Sequence, residues 1–198
     1  EVTEAATAAV LEAVEKFEKG DFTPTPLDYA NPAVRGSERP LMKQEDRRVD
    51  WTRDDTATVL RKLRAADSFP GLADRIAGVD CLLFNAYPEA TLRGAQPGAI
   101  IAQRQGALCR ATTDGAVWIT HAKRKTDQPT FKLPAAQALP EAAANVPESA
   151  LPALPARDPA TWQDIAYEEE GGVGFLHFDF YNGAMSTTDC LRLRDAFV

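Results

Sequence analysis

The sequence predicts an α+β chain built on a small OB-like β-barrel, preceded by helices and flanked by linkers and by truncated pieces of neighbouring domains. Three observations carry this expectation. Between residues 49 and 125, a helical apolar stripe is followed by several short, regularly spaced strand candidates. Proline-rich stretches lie on both sides of that block. The last residues form a strand, a tight turn and a helix, too little to bury a core alone.

Residues 3–19 have a helical pattern. Thr3 is placed to cap the start, and Val10, Val14 and Phe17 share a stripe with Ala6. Lys16 and Lys19 suit the C-terminal end of the dipole, and Gly20 is placed to end the helix. Nothing nearby supplies its partner, so residues 1–20 are read as the last helix of an upstream domain. Residues 21–48 contain four prolines and no period, which describes an extended connector. Its Phe22, Leu27, Tyr29 and Leu41 are suited to lie on a domain surface.

The folded module is expected over residues 49–125. Thr52 and Asp55 resemble a capping box, and Val59, Leu60 and Leu63 form one helical face. Strands are expected at Cys81–Ala86, Ala99–Gln103, Ala107–Ala111 and Ala116–His121, with Asp114-Gly115 as a hairpin signal between the last two. Residues 126–165 form a linker rich in proline and alanine. From residue 166, Leu176, Phe178 and Phe180 alternate as in a strand. Ser186 and Asp189 then open a helix along which Cys190, Leu193 and Phe197 recur.

Net charge is -7 and the pI about 4.9, which argues against non-specific attraction to nucleic acid or anionic membrane. No apolar run approaches the roughly 18–20 residues of a membrane span, and no secretory signal opens the chain. Cys81, Cys109 and Cys190 are odd in number and far apart, as in a reduced, cytoplasmic protein. The chain begins with Glu1 rather than Met, and is read as a piece of something longer.

Several stretches together carry a resemblance. Asp50-Trp51 before a helix, Pro70-Gly71 after it and Asp114-Gly115 late in the block resemble the C-terminal module of formyltetrahydrofolate-dependent formyltransferases. VGFLHFDFYNGAMSTTDCLRLRDAF resembles the opening of a crotonase (enoyl-CoA hydratase/isomerase) domain. The combination, with FKLPA and YEEEGGVGFLHFDFYNGAMST, resembles HoxX-type hydrogenase maturation proteins over nearly the whole chain.

That resemblance implies a parent that passes a formyl group from 10-formyltetrahydrofolate to coenzyme A. It also implies that formyl-CoA is then decarbonylated, giving carbon monoxide for [NiFe]-hydrogenase assembly. Flanking formyltransferase and crotonase domains are the implied partners. The formyltransferase Asn–His–Asp set would lie upstream and the crotonase oxyanion donors downstream, so no catalytic residue is assigned here. Two alternatives remain: a formyltransferase acting on an amine such as aminoacyl-tRNA, or a non-catalytic OB-like binding module.

Candidate binding residues are the basic clusters Arg35, Arg39, Lys43, Arg47 and Arg48, and Lys123, Arg124 and Lys125 with nearby Lys132. Guanidinium and ammonium groups suit the phosphates of coenzyme A or a polyglutamyl folate tail. The bland alternative pairs them with Glu38, Glu45 and Asp46. No Cys or His spacing suggests a metal site. His121 is expected at a surface or rim, and His177 in a hydrogen-bonded structural role. The three cysteines are expected as buried filler, Trp51 and Trp118 as packing anchors, and Gly171, Gly172 and Gly174 as a flexible lead-in.

Overall fold

The structure, a computed structural model, describes residues 2–26, 28–94 and 96–198. The chain divides into two compact units, residues 1–41 and 42–198. In the first, helix α1 spans Val2–Lys19. Thr3 lies inside this helix rather than capping it. At its other end Gly20 takes φ +65, and the Asp21 amide donates to the Lys16 carbonyl. Val10, Val14 and Phe17 are exposed, and the Phe17 and Phe22 rings meet at 4.2 Å. Tyr29 and Leu41 are exposed as well, and Leu27 falls outside the described residues.

The second unit opens on α2, Thr56–Ala66. Its cap is Asp55, whose carboxylate accepts from the Thr58 amide, and not Thr52. The correction has a local cause: Asp50 and Asp54 hold residues 50–54 in a separate turn, with the Asp54 carboxylate accepting from the Asp50 amide. Val59, Leu60 and Leu63 are buried, as their spacing predicts.

Six antiparallel strands follow: β1 (Leu72–Ile76), β2 (Val79–Glu89), β3 (Ile100–Arg104), β4 (Ala107–Ala111), β5 (Ala116–Arg124) and β6 (Leu133–Pro134). The hydrogen-bonded order is β1-β2-β5-β4-β3, with β6 pairing on β5. The closed OB-like barrel expected from the sequence is therefore not formed by this ladder, which ends at β1 and β3. Both ends have found other partners. Gln44 lies against β1, its amide oxygen accepting from the Ala73 amide and its nitrogen donating to the Gly71 carbonyl. On β3, the Gln103 amide donates to the Pro147 carbonyl, and the Ser149 amide donates to the Gln103 carbonyl. Edge groups satisfied in this way have little need of closure.

Strand β1 was missing from the sequence expectation. Its LADRI holds two charges, and the turn to β2 places Ala77 at φ +49 beside Gly78 at φ +81, an unusual residue choice for a tight hairpin. The larger core joins α2 to one face of this sheet. It also takes Ala135, Ala138, Leu139 and Ala142 from the alanine–proline stretch, where α3 (Ala135–Ala138) and α4 (Pro140–Ala143) form. A second cluster on the other face holds Trp118, Trp162, Cys109 and Ala102.

The terminal residues form a separate two-stranded sheet, β7 (Ile165–Glu170) and β8 (Val173–Phe178), then a short 3-10 turn and helix α5 (Thr187–Phe197). Gly171 and Gly172, read above as a lead-in, are the two-residue hairpin turn, with φ +60 and +77. Ser186 and Asp189 form the expected capping box. The buried side of α5 differs from the expected stripe: Ala196 and Leu193 meet Ile165, Phe180 and Leu176, while Cys190 and Phe197 are exposed.

Candidate functional site

A groove of about 950 Å³ that gathers basic side chains runs across one end of the six-stranded sheet. Its wall is Trp51, held by two neighbours. The indole N–H donates to Asp74 Oδ2 at 2.9 Å, and the Arg110 guanidinium lies 3.8 Å from the ring centre. Arg110 also donates through Nη1 to Asp74 Oδ2 (2.6 Å) and through Nε to the Gly98 carbonyl (2.7 Å). Burial pulls the Arg110 pKa down, against the opposing effect of Asp74. Arg110 and Asp74 are thus already matched to each other.

The side chains left to meet a ligand in this groove are Arg48, Arg75 and Lys125, interspersed with Glu45, Asp50 and Asp80. Arg75 approaches Asp80 only loosely, at 3.8 Å. Charges of both signs and one indole line this surface. They do not make a nucleophile–base pair. Cys81, close to Asp74, is buried and its thiol is pushed up to about 12 by burial. Cys109 is likewise held at about 12 by burial. Cys190, expected as buried filler, is exposed.

Of the predicted basic residues, the groove brings together Arg48 and Lys125. Arg47 is buried; it donates to the Met42 carbonyl, and its Nε has no hydrogen-bond partner among the described residues. Arg124 is engaged with Glu141 in a forked contact at 3.0 Å and also reaches the Ala138 carbonyl. Lys123 is half-buried, whereas Arg35, Arg39 and Lys43 are exposed. Lys132 donates to the Ser68 carbonyl and the Tyr181 hydroxyl, and lies 4.2 Å from the Phe84 ring centre. Among the described residues, no group of three His, Cys, Asp or Glu side chains is placed to hold a metal ion.

A buried polar network has no signature in the sequence. Glu89, at the end of β2, accepts from Thr91, Thr161, the Leu92 amide and the Trp118 indole. Burial would raise its carboxyl, but these donors more than reverse that and hold it at about 2. Arg104 stacks on Trp118 at 4.5 Å. It donates to the Ser149 and Trp162 carbonyls and to the Thr161 hydroxyl, pinning residues 149–162 to the sheet. Residues this far apart in the chain leave no local motif that could have signalled the network.

Around the seam with the terminal hairpin lie His121, half-buried, and His177, whose ring nitrogen is 3.2 Å from Glu168. His121, expected at a surface or rim, lines two clefts there. It stacks on Tyr181 with ring centres 4.5 Å apart, and Tyr181 donates to Asp67.

Comparison with known proteins agrees with this architecture. Residues 41–131 match the family model for the formyl transferase C-terminal domain. The chain is 45% identical over 197 residues to the hydrogenase maturation factor HoxX of Bradyrhizobium diazoefficiens, covering all of this chain and 33% of that protein. It is 31% identical over 112 residues to methionyl-tRNA formyltransferase of Desulfotalea psychrophila, covering 56% of this chain and 33% of the relative. Among solved structures, HypX from Aquifex aeolicus in complex with tetrahydrofolic acid superposes with a TM-score of 0.84 at 49% identity. That match covers 95% of this chain and 32% of HypX. The chain spans about a third of the length of these relatives. Over the third of their length that it spans, the chain is similar in sequence and in fold to the hydrogenase maturation factor HoxX and to HypX.

Proposed function

We propose that this chain is the central segment of a HoxX-like bifunctional enzyme supporting [NiFe]-hydrogenase maturation. In the proposed sequence the C–N bond holding the formyl group of 10-formyltetrahydrofolate breaks, and a C–S bond to coenzyme A forms. The thiol proton passes to the folate nitrogen. Formyl-CoA then loses carbon monoxide as its C–S bond breaks, and the formyl hydrogen passes to sulfur, regenerating the thiol. Residues 1–20 would close an upstream formyltransferase domain. Residues 49–125 would be its C-terminal module, and 166–198 would open a crotonase-like domain. The segment's own part is to join the two and dock anionic portions of the substrates. Arg48 and Lys125, with Arg75, line the groove suited to that contact.

The observation that carries this reading is continuity. The match to HoxX runs through the module and the terminal hairpin alike, whereas the match to methionyl-tRNA formyltransferase covers 56% of the chain. The test compares the full-length parent with residues 1–198 alone, each given 10-formyltetrahydrofolate and coenzyme A. The parent is expected to consume the folate and release carbon monoxide, and the isolated segment to do neither. Formylation of methionyl-tRNA by the parent, or turnover by the segment, would overturn the reading.

A further inference from the structure

The stretch expected from the sequence to be a linker is bonded along both of its flanks. Between residues 146 and 164 it carries Pro147, Pro152, Pro155 and Pro159 and forms no helix. On the sheet side, the Gln103 amide donates to the Pro147 carbonyl, the Gln103 side chain to the Val146 carbonyl, and the Ala90 amide to the Ala160 carbonyl. On the other side, the Tyr167 amide donates to the Pro155 carbonyl, the Arg157 amide to the Tyr167 carbonyl, and the Asp179 amide to the Asp164 carbonyl. Arg192 of α5 adds a forked pair to Asp164, 2.6 Å at each arm.

We propose that residues 146–164 are a rigid strut, keyed to the six-stranded sheet by Arg104, that sets where the terminal hairpin and α5 stand relative to that sheet.

Arg104 is the key because of its burial and its reach. It stands on β3 and is only 4% exposed. Its Nε donates to the Ser149 carbonyl (2.7 Å) and its Nη2 to the Ser149 hydroxyl (2.8 Å). Its Nη1 donates to the Thr161 hydroxyl (2.8 Å) and the Trp162 carbonyl (2.7 Å). One planar fork therefore grips the strut near both of its ends. The Thr161 hydroxyl in turn donates to Glu89, so a buried cation and a buried carboxylate are bridged through the strut itself. Lifting the strut away would strand both charges without these partners, which makes release costly. Trp162 adds its ring, 6.0 Å from Trp118 and 6.2 Å from Tyr87.

The direct joints between sheet and hairpin are weaker in kind. The six-stranded sheet and the hairpin with α5 have separate apolar clusters and no shared ladder among the described residues. Tyr87 donates to Asp179 (2.8 Å), Tyr181 to Asp67 (3.2 Å), and Lys132 to Tyr181 (3.1 Å). Hydroxyl bonds at a partly open seam contribute less than a buried, charged fork does. In the longer protein proposed above, the strut would fix the angle between the module and the domain that the hairpin opens. The strut itself is tested without that reading, in the 198-residue chain.

Nitroxide labels on Cys190, exposed on α5, and on A57C, exposed on α2, report the separation of the two parts by pulsed electron spin resonance. The otherwise native chain is expected to give one narrow distance distribution. R104M should broaden it about twofold or more, while β1 amides stay protected from hydrogen exchange. Y87F combined with Y181F removes the direct hydroxyl bonds but not the strut, and should leave the width unchanged. If R104M does not fold, R104K, which keeps the cation but not the fork, must broaden the distribution instead. A native width retained in the Arg104 variant would overturn the strut. So would a broad distribution in the otherwise native chain, equal broadening in the tyrosine double variant, or loss of protection in β1 as large as in residues 149–162.

Discussion

Arg110 in β4 and Asp74 in β1 meet at 2.6 Å although β2 and β5 lie between their strands in the ladder. The sheet curls far enough for its edge strand β1 to be joined to β4 by an ion pair stacked on Trp51, with no backbone pairing between these two strands among the described residues. Both partners are shielded, at 8% and 15% side-chain exposure. Removing one leaves the other charge buried and unmatched, which costs about 3–5 kcal/mol. R110M is expected to lower the urea midpoint sharply, and R110M combined with D74L to recover part of the loss. A double variant no more stable than R110M would show that the pair is not coupled.

Glu89 sets the acid limit of the module. Its carboxyl is held at about 2 in the folded chain, against 4.5 ordinarily, so its stabilisation is complete above about pH 4.5 and is lost as pH falls toward 2. The shift is worth about 3 kcal/mol. Denaturant midpoints measured from pH 6 to 2 should fall across that window, and E89Q should fall less steeply while starting lower at pH 6.

Thiol reactivity should separate the three cysteines. Cys81 and Cys109, buried and held at about 12, stay unreactive in the folded chain, and exposed Cys190 reacts. A chromogenic disulfide reagent should therefore titrate one thiol in native protein and three in denaturant. Rapid modification of a second thiol under native conditions would contradict the burial of β2 and β4.

Gly71 has no room for a methyl group. A Cβ there would come within 2.5 Å of the Phe84 ring, and the backbone sits at φ +83. Strain and overpacking together should cost G71A about 2 kcal/mol or more, read as a lower melting temperature.

Local signals were readable where they depend on near neighbours. The α2 face of Val59, Leu60 and Leu63, the Ser186–Asp189 box and the Asp114-Gly115 turn were all visible. That turn has a second use beyond its sequence signal: the Asp114 carboxylate accepts from the Thr56 amide and hydroxyl, tying the β4–β5 loop to the start of α2. Basic residues were visible as a class, but their occupations were not. Arg124 is matched by Glu141, seventeen residues away, and Arg110 escaped notice because it stands alone in an apolar strand.

By itself the sequence determined the kind of chain this is. Periodicity set the three longer helices and most strands, but not α3 and α4, which form in the stretch read as a linker. Residue pairs such as Asp50-Trp51 and Pro70-Gly71 carried the family resemblance. Tertiary structure alone decided that the sheet's edges are met by the Gln44 side chain and by the backbone of residues 147–149 instead of by each other. It also decided that alanines from a proline-rich stretch enter the core, and that His121 lies under Tyr181 rather than in solvent. The physical reason is range. Capping, turn geometry and amphipathic spacing are settled within a few residues, whereas burial, ion pairing and pKa depend on which distant groups the fold brings within about 4 Å.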